Sequence, residues 1–258
     1  MPGKFERTYG VLLKYIVRAA NPFKKIIINT ECQIHKFINI QALDIIKNDK
    51  FSDAHSFFSD YTTALNDGVT WADQNFKSMG HFYNPIKNKG LYGNKNALSL
   101  ANEYYAKSLM HWTQNKPEMS IFYLGAALHL VQDMTVPQHV NIRLLDSHRR
   151  YENYIRRIYM SSPELAVYRG GYYVDSIEEA VRSNAHNTLR IYSRLKGIKD
   201  DEKRYYSIAR YTLPLAQKTT AGCLIRFYRD IGKHRFELHL DIAQYGNQLM
   251  EHSSAKST

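Results

Sequence analysis

His129 and Asp133 stand four residues apart, and His148 and Glu152 repeat that interval further along the chain. Four residues is just over one helical turn, so in each pair the imidazole and the carboxylate leave the helix on one side. His139 falls between the two pairs, just after Pro137. Neutral imidazole nitrogen and carboxylate oxygen are donors that zinc accepts, at about 2.0–2.2 Å. A single pair of this kind is explained as well by a hydrogen bond or a surface ion pair. Two pairs with a histidine between them shift the balance toward a metal, and spacing alone leaves both readings open. The first pair sits in "FYLGAALHLVQDMTVPQHV", whose Phe122, Leu124, Ala127, Leu128 and Val131 look like core. Imidazole and carboxylate groups are costly there unless a hydrogen bond, a proton or a metal satisfies them. His81, in "MGHFYNP", and His35, at the start of an amphipathic segment, are further candidates for the same centre. The other six histidines, from His55 to His252, lack an acidic partner at ligand spacing and read as surface or packing residues.

Helices must position these groups, because apolar residues recur at helical intervals along nearly the whole chain. The periodicity predicts helices over 35–47, 53–65, 96–115, 118–134, 147–160, 176–195 and 201–231. Irregular chain is expected over 67–93, rich in Gly, Asn and Asp, over 136–146, and in the turn "YRGGYYVDS". Loops of that size inside a domain usually have a function. The expected architecture is all-α, a single multi-helix bundle.

The bulk properties agree with one large domain or two small ones: 258 residues, 44% hydrophobic, enough apolar material for a core. A net charge of +11 and a sequence pI near 9.4 favour anionic partners, either nucleic acid or an acidic membrane surface. No segment reaches the roughly 18 apolar residues of a membrane span. Cys32 and Cys223 could pair, bind metal, or remain buried thiols. Residues 1–29 read as a basic amphipathic extension that packs on the domain or lies on a membrane surface. Its apolar run is broken by Lys14 and Arg18, unlike a secretory leader, which leaves cytoplasmic and peripheral membrane locations open. Residues 233–258 are expected to make one short helix and a disordered polar tail, "EHSSAKST".

Five blocks in order, "HKFINIQALDII", "GVTWADQN" before "HFYNP", "YLGAALHLVQDMTVPQHV", "HRRYENY" and "TTAGCLIRFYRDIG", resemble the bacterial zinc-dependent phospholipases C, including the catalytic domain of clostridial alpha-toxin. The resemblance covers roughly residues 30–232. It implies a bundle of about nine helices with up to three zinc ions at the bottom of a cleft, and hydrolysis of phospholipids to diacylglycerol and a phosphorylated headgroup. It assigns His81, His129 and Asp133 to one zinc, and His139, His148 and Glu152 to a second. His35 and a bridging oxygen of Asp133 go to a third. Asp73 matches the aspartate near the metals that serves as base, with Asp67 as the alternative. The implied partner is a phospholipid or membrane surface, met by a monomer.

The departures are as informative. The family's third zinc is completed by the amine and carbonyl of an N-terminal tryptophan, and neither Trp71 nor Trp112 can be that residue. Cys32 and Glu31, beside His35, could substitute. Aromatic residues that would cage a choline group are replaced by Gln74 and Ser78, so choline preference is not expected. Two other readings compete with the lipid hydrolase. One is a single-strand nuclease on the same three-zinc fold, which basic charge would suit. The other is a membrane-surface protein that has lost turnover.

Overall fold

Pro117 and Pro137 bracket the helix on which the other elements pack. The computed structural model describes residues 32–74, 80–91, 95–142 and 148–254; the expected extension at 1–29, Glu31 and Ser78 lie outside the described residues. Nine α-helices are found among them: α1 (Gln33–Asn48), α2 (Ser52–Asp60), α3 (Thr62–Asp73), α4 (Ala97–Thr113), α5 (Pro117–Asp133), α6 (Pro137–Asn141), α7 (His148–Ile158), α8 (Ile177–Leu195) and α9 (Asp201–Ser254). The described residues contain no strand, so the all-α expectation holds.

α5 starts with Pro117 in its first turn, where a missing N–H costs nothing, and Glu118 complements the helix dipole there. From Leu124 to Asp133 every residue is buried, and α3, α4, α8 and α9 surround it. Each large apolar side chain sealed in this way contributes about 1.5–3 kcal/mol. The helix stops because Val136, preceding Pro137, is extended as a residue before proline must be. α4 is held at its start by a reciprocal cap between Asn96 and Ser99.

α3 and α5 touch backbone to backbone. A Cβ on Gly68 would lie 1.9 Å from the carbonyl oxygen of Phe122, and one on Gly125 would lie 2.1 Å from that of Leu65. This contact corrects the expectation of irregular chain over 67–93: α3 continues through Asp73, and Gly68 is a crossing point between helices. The helix expected over 53–65 is divided at Tyr61 into α2 and α3. The expected irregular stretch at 136–146 contains α6, and α9 runs past Gly232 to Ser254 without a break.

A second, smaller core joins α1, α7 and α9 through Ile38, Tyr151, Ile155, Tyr205 and Ile208. It explains why α7 sits where it does. Tyr151 and Ile155 are buried, while Arg149, Arg150, Arg156 and Arg157 face water. No helix among the described residues is long and apolar enough to cross a membrane.

Candidate metal centre

The seven ligand candidates and Asp73 come from five helices and the segment before α4, and they meet around Asp133. Oδ2 of Asp133 lies 2.9 Å from Nδ1 of His81, 3.2 Å from Nε2 of His129 and 3.9 Å from Nδ1 of His139. Oδ1 faces His35, whose Nε2 is 3.7 Å away. His129 Nε2 and His81 Nδ1 are themselves 3.2 Å apart. Donors on a tetrahedral zinc with bonds near 2.0–2.1 Å are separated by about 3.3 Å, so these three atoms already stand at nearly the edge lengths of such a shell. Oδ2 of Asp133 and Nδ1 of His129 are buried without a hydrogen-bond partner. Orphaned buried polar atoms are rare in native structures, and a bound ion is one thing that accounts for them.

The second cluster adjoins the first. His148 Nε2 stands 3.1 Å from His139 Nε2 and 2.8 Å from Oε1 of Glu152, which is 4.0 Å from His139 Nε2. Two imidazole nitrogens at that range repel unless a proton or a cation sits between them. Three donor groups are therefore preformed: His35, His129 and Asp133; Asp73, His81 and His129; and His139, His148 and Glu152. Asp73, at the last residue of α3, is exposed but within reach of the first cluster. Asp67, also exposed, is in none of these groups.

Backbone carbonyls choose the tautomers. His81 donates from Nε2 to the carbonyl of Ala72 at 3.1 Å, and His139 donates from Nδ1 to the carbonyl of His81 at 3.0 Å. The opposite nitrogen of each ring is left with its lone pair turned toward the cluster, as metal-binding histidines require. Burial, with His129 close by, pushes His35 down to about 4, which keeps its ring neutral near pH 7. Burial lowers His81 as well. Burial acts against charge on His129 and His139 too, but Asp133 outweighs it and holds His129 well above the usual imidazole range and His139 above it. Asp133 is buried yet lies well below the usual carboxylate range because His129 and His139 surround it. Glu152 likewise lies below its ordinary value, with the bonds from His139 and His148 overcoming burial. Protons on these imidazoles balance the carboxylates in the metal-free centre, and a divalent cation would displace them.

The family model described as "Zinc dependent phospholipase C" matches residues 34–209 of this chain. The chain belongs to that family. Its relatives include the phospholipase C of Clostridium novyi, 23% identical over 77% of this chain and 59% of its own length. The phospholipase C of Listeria monocytogenes serovar 1/2a is 27% identical over 47% of this chain and 44% of its own. Among solved structures, the alpha-toxins of Clostridium absonum and Clostridium perfringens superpose with a TM-score of 0.67 each, at 20% and 19% identity. Each match covers 77% of this chain and 63% of the toxin. The chain thus spans less than two thirds of the length of these relatives, and the likeness to the toxins shows a shared all-helical fold.

Beyond the candidate ligands, the centre has a buried support that the spacing of histidines and acids does not reveal. Gln132 accepts from His35 Nδ1 through Oε1 at 2.8 Å. Its amide donates to Asn39 Oδ1 at 2.9 Å and Thr220 Oγ1 at 3.1 Å, which fixes the orientation of the side chain. The one sequence signal was a glutamine inside an otherwise apolar helix. Replacing Gln132 by Leu is expected to weaken zinc binding about 10–100-fold by freeing the His35 ring. It should also cost about 1–3 kcal/mol of stability by stranding Asn39 and Thr220. Competition with a chromogenic chelator and thermal unfolding measure the two effects; unchanged values in both would contradict the positioning role.

Proposed function

We propose that this chain is a zinc-dependent phosphodiesterase that hydrolyses phospholipids to diacylglycerol and a phosphorylated headgroup, with residues 30–232 as its catalytic unit. The observation that carries this reading is Asp133, a buried carboxylate with His35 on one oxygen and His81, His129 and His139 around the other. In this proposal His81, His129 and Asp133 hold one zinc, His139, His148 and Glu152 a second, and His35 with Asp133 a third. Zinc bound there neutralises the phosphodiester's charge, aligns the phosphoryl group and acidifies water.

The chain's own residues supply the rest. Asp73 stands at the exposed edge of the cluster, where its carboxylate can orient a water and take its proton. The hydrogen bonds from His81 to Ala72 and from His139 to the His81 carbonyl hold the rings in place, so no reorganisation is needed when substrate arrives. Gln74, exposed beside Asp73, offers hydrogen bonds in place of an aromatic face, and the net charge of +11 favours anionic headgroups on a lipid surface. We take the working form as a monomer.

The test gives the zinc-loaded full chain a short-chain phospholipid and single-stranded DNA side by side. Release of the phosphorylated headgroup, abolished by a chelator and restored by zinc, is the expected result. Cleavage of DNA with the lipid untouched, or no turnover of either, overturns the reading.

A further inference from the structure

We propose that a basic cavity between α7, α8 and α9 binds a phosphate group at a site separate from the metal centre. The cavity measures about 130 Å³, and each of the three helices brings one cation to its wall: Arg150 from α7, Lys196 from the cap of α8 and Arg204 from α9. Tyr151, Tyr192 and Tyr205 line it as well, and no acidic residue does. Cations and phenols without a carboxylate suit an anion and repel a metal ion. None of the candidate zinc ligands lines the cavity, so the proposal goes beyond the reading above and stands whether or not zinc binds. A cavity of about 150 Å³ holds a benzene molecule, and a phosphate group, which is smaller, fits here.

The donors in the wall are fixed before any ligand arrives. Arg204 donates from Nη1 to the carbonyl of Ile198 at 2.7 Å and from Nη2 to Oδ1 of Asp201. Arg150 donates from Nη1 to the other oxygen of Asp201 at 3.0 Å. One carboxylate thus orients two guanidinium groups while cancelling only one of their charges. The neighbouring acids are engaged elsewhere: Glu202 pairs with Arg157, and the side chain of Asp200 accepts from the backbone N–H of Lys203. Lys196, which is exposed, has no ion-pair partner among the described residues. The cavity therefore keeps a surplus of positive charge. An arginine carries five N–H donors, so both guanidinium groups retain donors for phosphate oxygens, and such charge-assisted bonds are strong. Side chains already held in place lose little freedom on binding. Arg150 and Lys196 are exposed at the mouth, and inorganic phosphate and the phosphate of a lipid headgroup present them with the same oxygens.

The experiment titrates the full chain with inorganic phosphate by calorimetry at constant ionic strength, after a chelator has removed any metal that would itself bind phosphate. Saturable binding at one site, competed by sulfate and not by chloride, is expected. Lys196→Ala should weaken it about tenfold or more, through loss of one charge-assisted bond. Arg194→Ala, which removes an exposed cation of α8 outside the cavity, should leave it unchanged. Both side chains are exposed, so neither change threatens the fold. Sedimentation with vesicles then separates the two sources of phosphate. Binding to phosphatidylglycerol over phosphatidylcholine vesicles that falls about tenfold in Lys196→Ala assigns the site to a lipid headgroup. Equal vesicle binding by the two proteins assigns it to free phosphate. No saturable phosphate binding, equal competition by chloride, or equal phosphate affinity in wild type and Lys196→Ala overturns the proposal and leaves the zinc reading standing, since no metal takes part in the titration.

Discussion

Asp133→Asn should abolish phospholipid hydrolysis and lower zinc affinity by more than about 100-fold, since changing even a residue that only supports a ligand costs 10–100-fold. The amide keeps the shape of the side chain but loses the charge, and its nitrogen end cannot accept. One oxygen faces His81 and His129 and the other faces His35, so the proposed first and third metal positions both lose a ligand. Metal content by elemental analysis should therefore fall by two ions where a change confined to one cluster would remove one. Circular dichroism is expected to report an intact fold, because the helices around α5 pack through apolar side chains. The substitution also acts on the metal-free protein. His129 is raised above 6.5 by Asp133, so it contributes stability that is fully present below pH 6.5 and is lost as pH rises through its folded value. Asp133→Asn should remove that pH dependence. Wild-type metal content together with wild-type turnover would contradict the bridging role.

Gly125→Ala should destabilise the protein by about 3 kcal/mol or more, at the upper end for a core forced to accept extra volume. For a chain of this size that corresponds to a melting temperature lower by roughly 6–12 °C. The added methyl would stand 2.1 Å from the carbonyl oxygen of Leu65 and 3.2 Å from Cα of Gly68, both backbone atoms that no rotamer change can move. α3 and α5 would have to separate, and the separation would be felt one turn away. Gly125 precedes His129 by four residues, and α3 ends at Asp73. Metal content should fall along with stability. Gly197→Ala is the matched control, since nothing lies within 4 Å of its added methyl, and it should melt within about 1 °C of the wild type. Equal melting temperatures for the two variants would show that the helices give way easily at Gly125.

The same glycine contacts mark where the sequence is hard to read. α5 was legible because an apolar run bounded by Pro117 and Pro137 admits few alternatives, and because two donors four residues apart on a helix must share a face. The end of α3 was not. "NDGVTWAD" has the composition of a turn, and it is helical because Gly68 lets α5 press against it, a circumstance visible only once both helices are in place. Gln132 was missed for a related reason. Its partners Asn39 and Thr220 lie 93 and 88 residues away, and no local spacing links them. The small turn at Tyr61 that separates α2 from α3 left no proline or glycine to announce it.

One strip of backbone serves as a common mount for both clusters. Tyr83 donates its N–H to the carbonyl of His139 while His139 returns a bond to the carbonyl of His81, and the Asn84 amide clasps the carbonyl of Val140. Neither half can drift without dragging the other. Variation in "HFYN" therefore cannot tune one cluster in isolation: a change that suits the first is transmitted to the second, so this segment answers to both clusters at once.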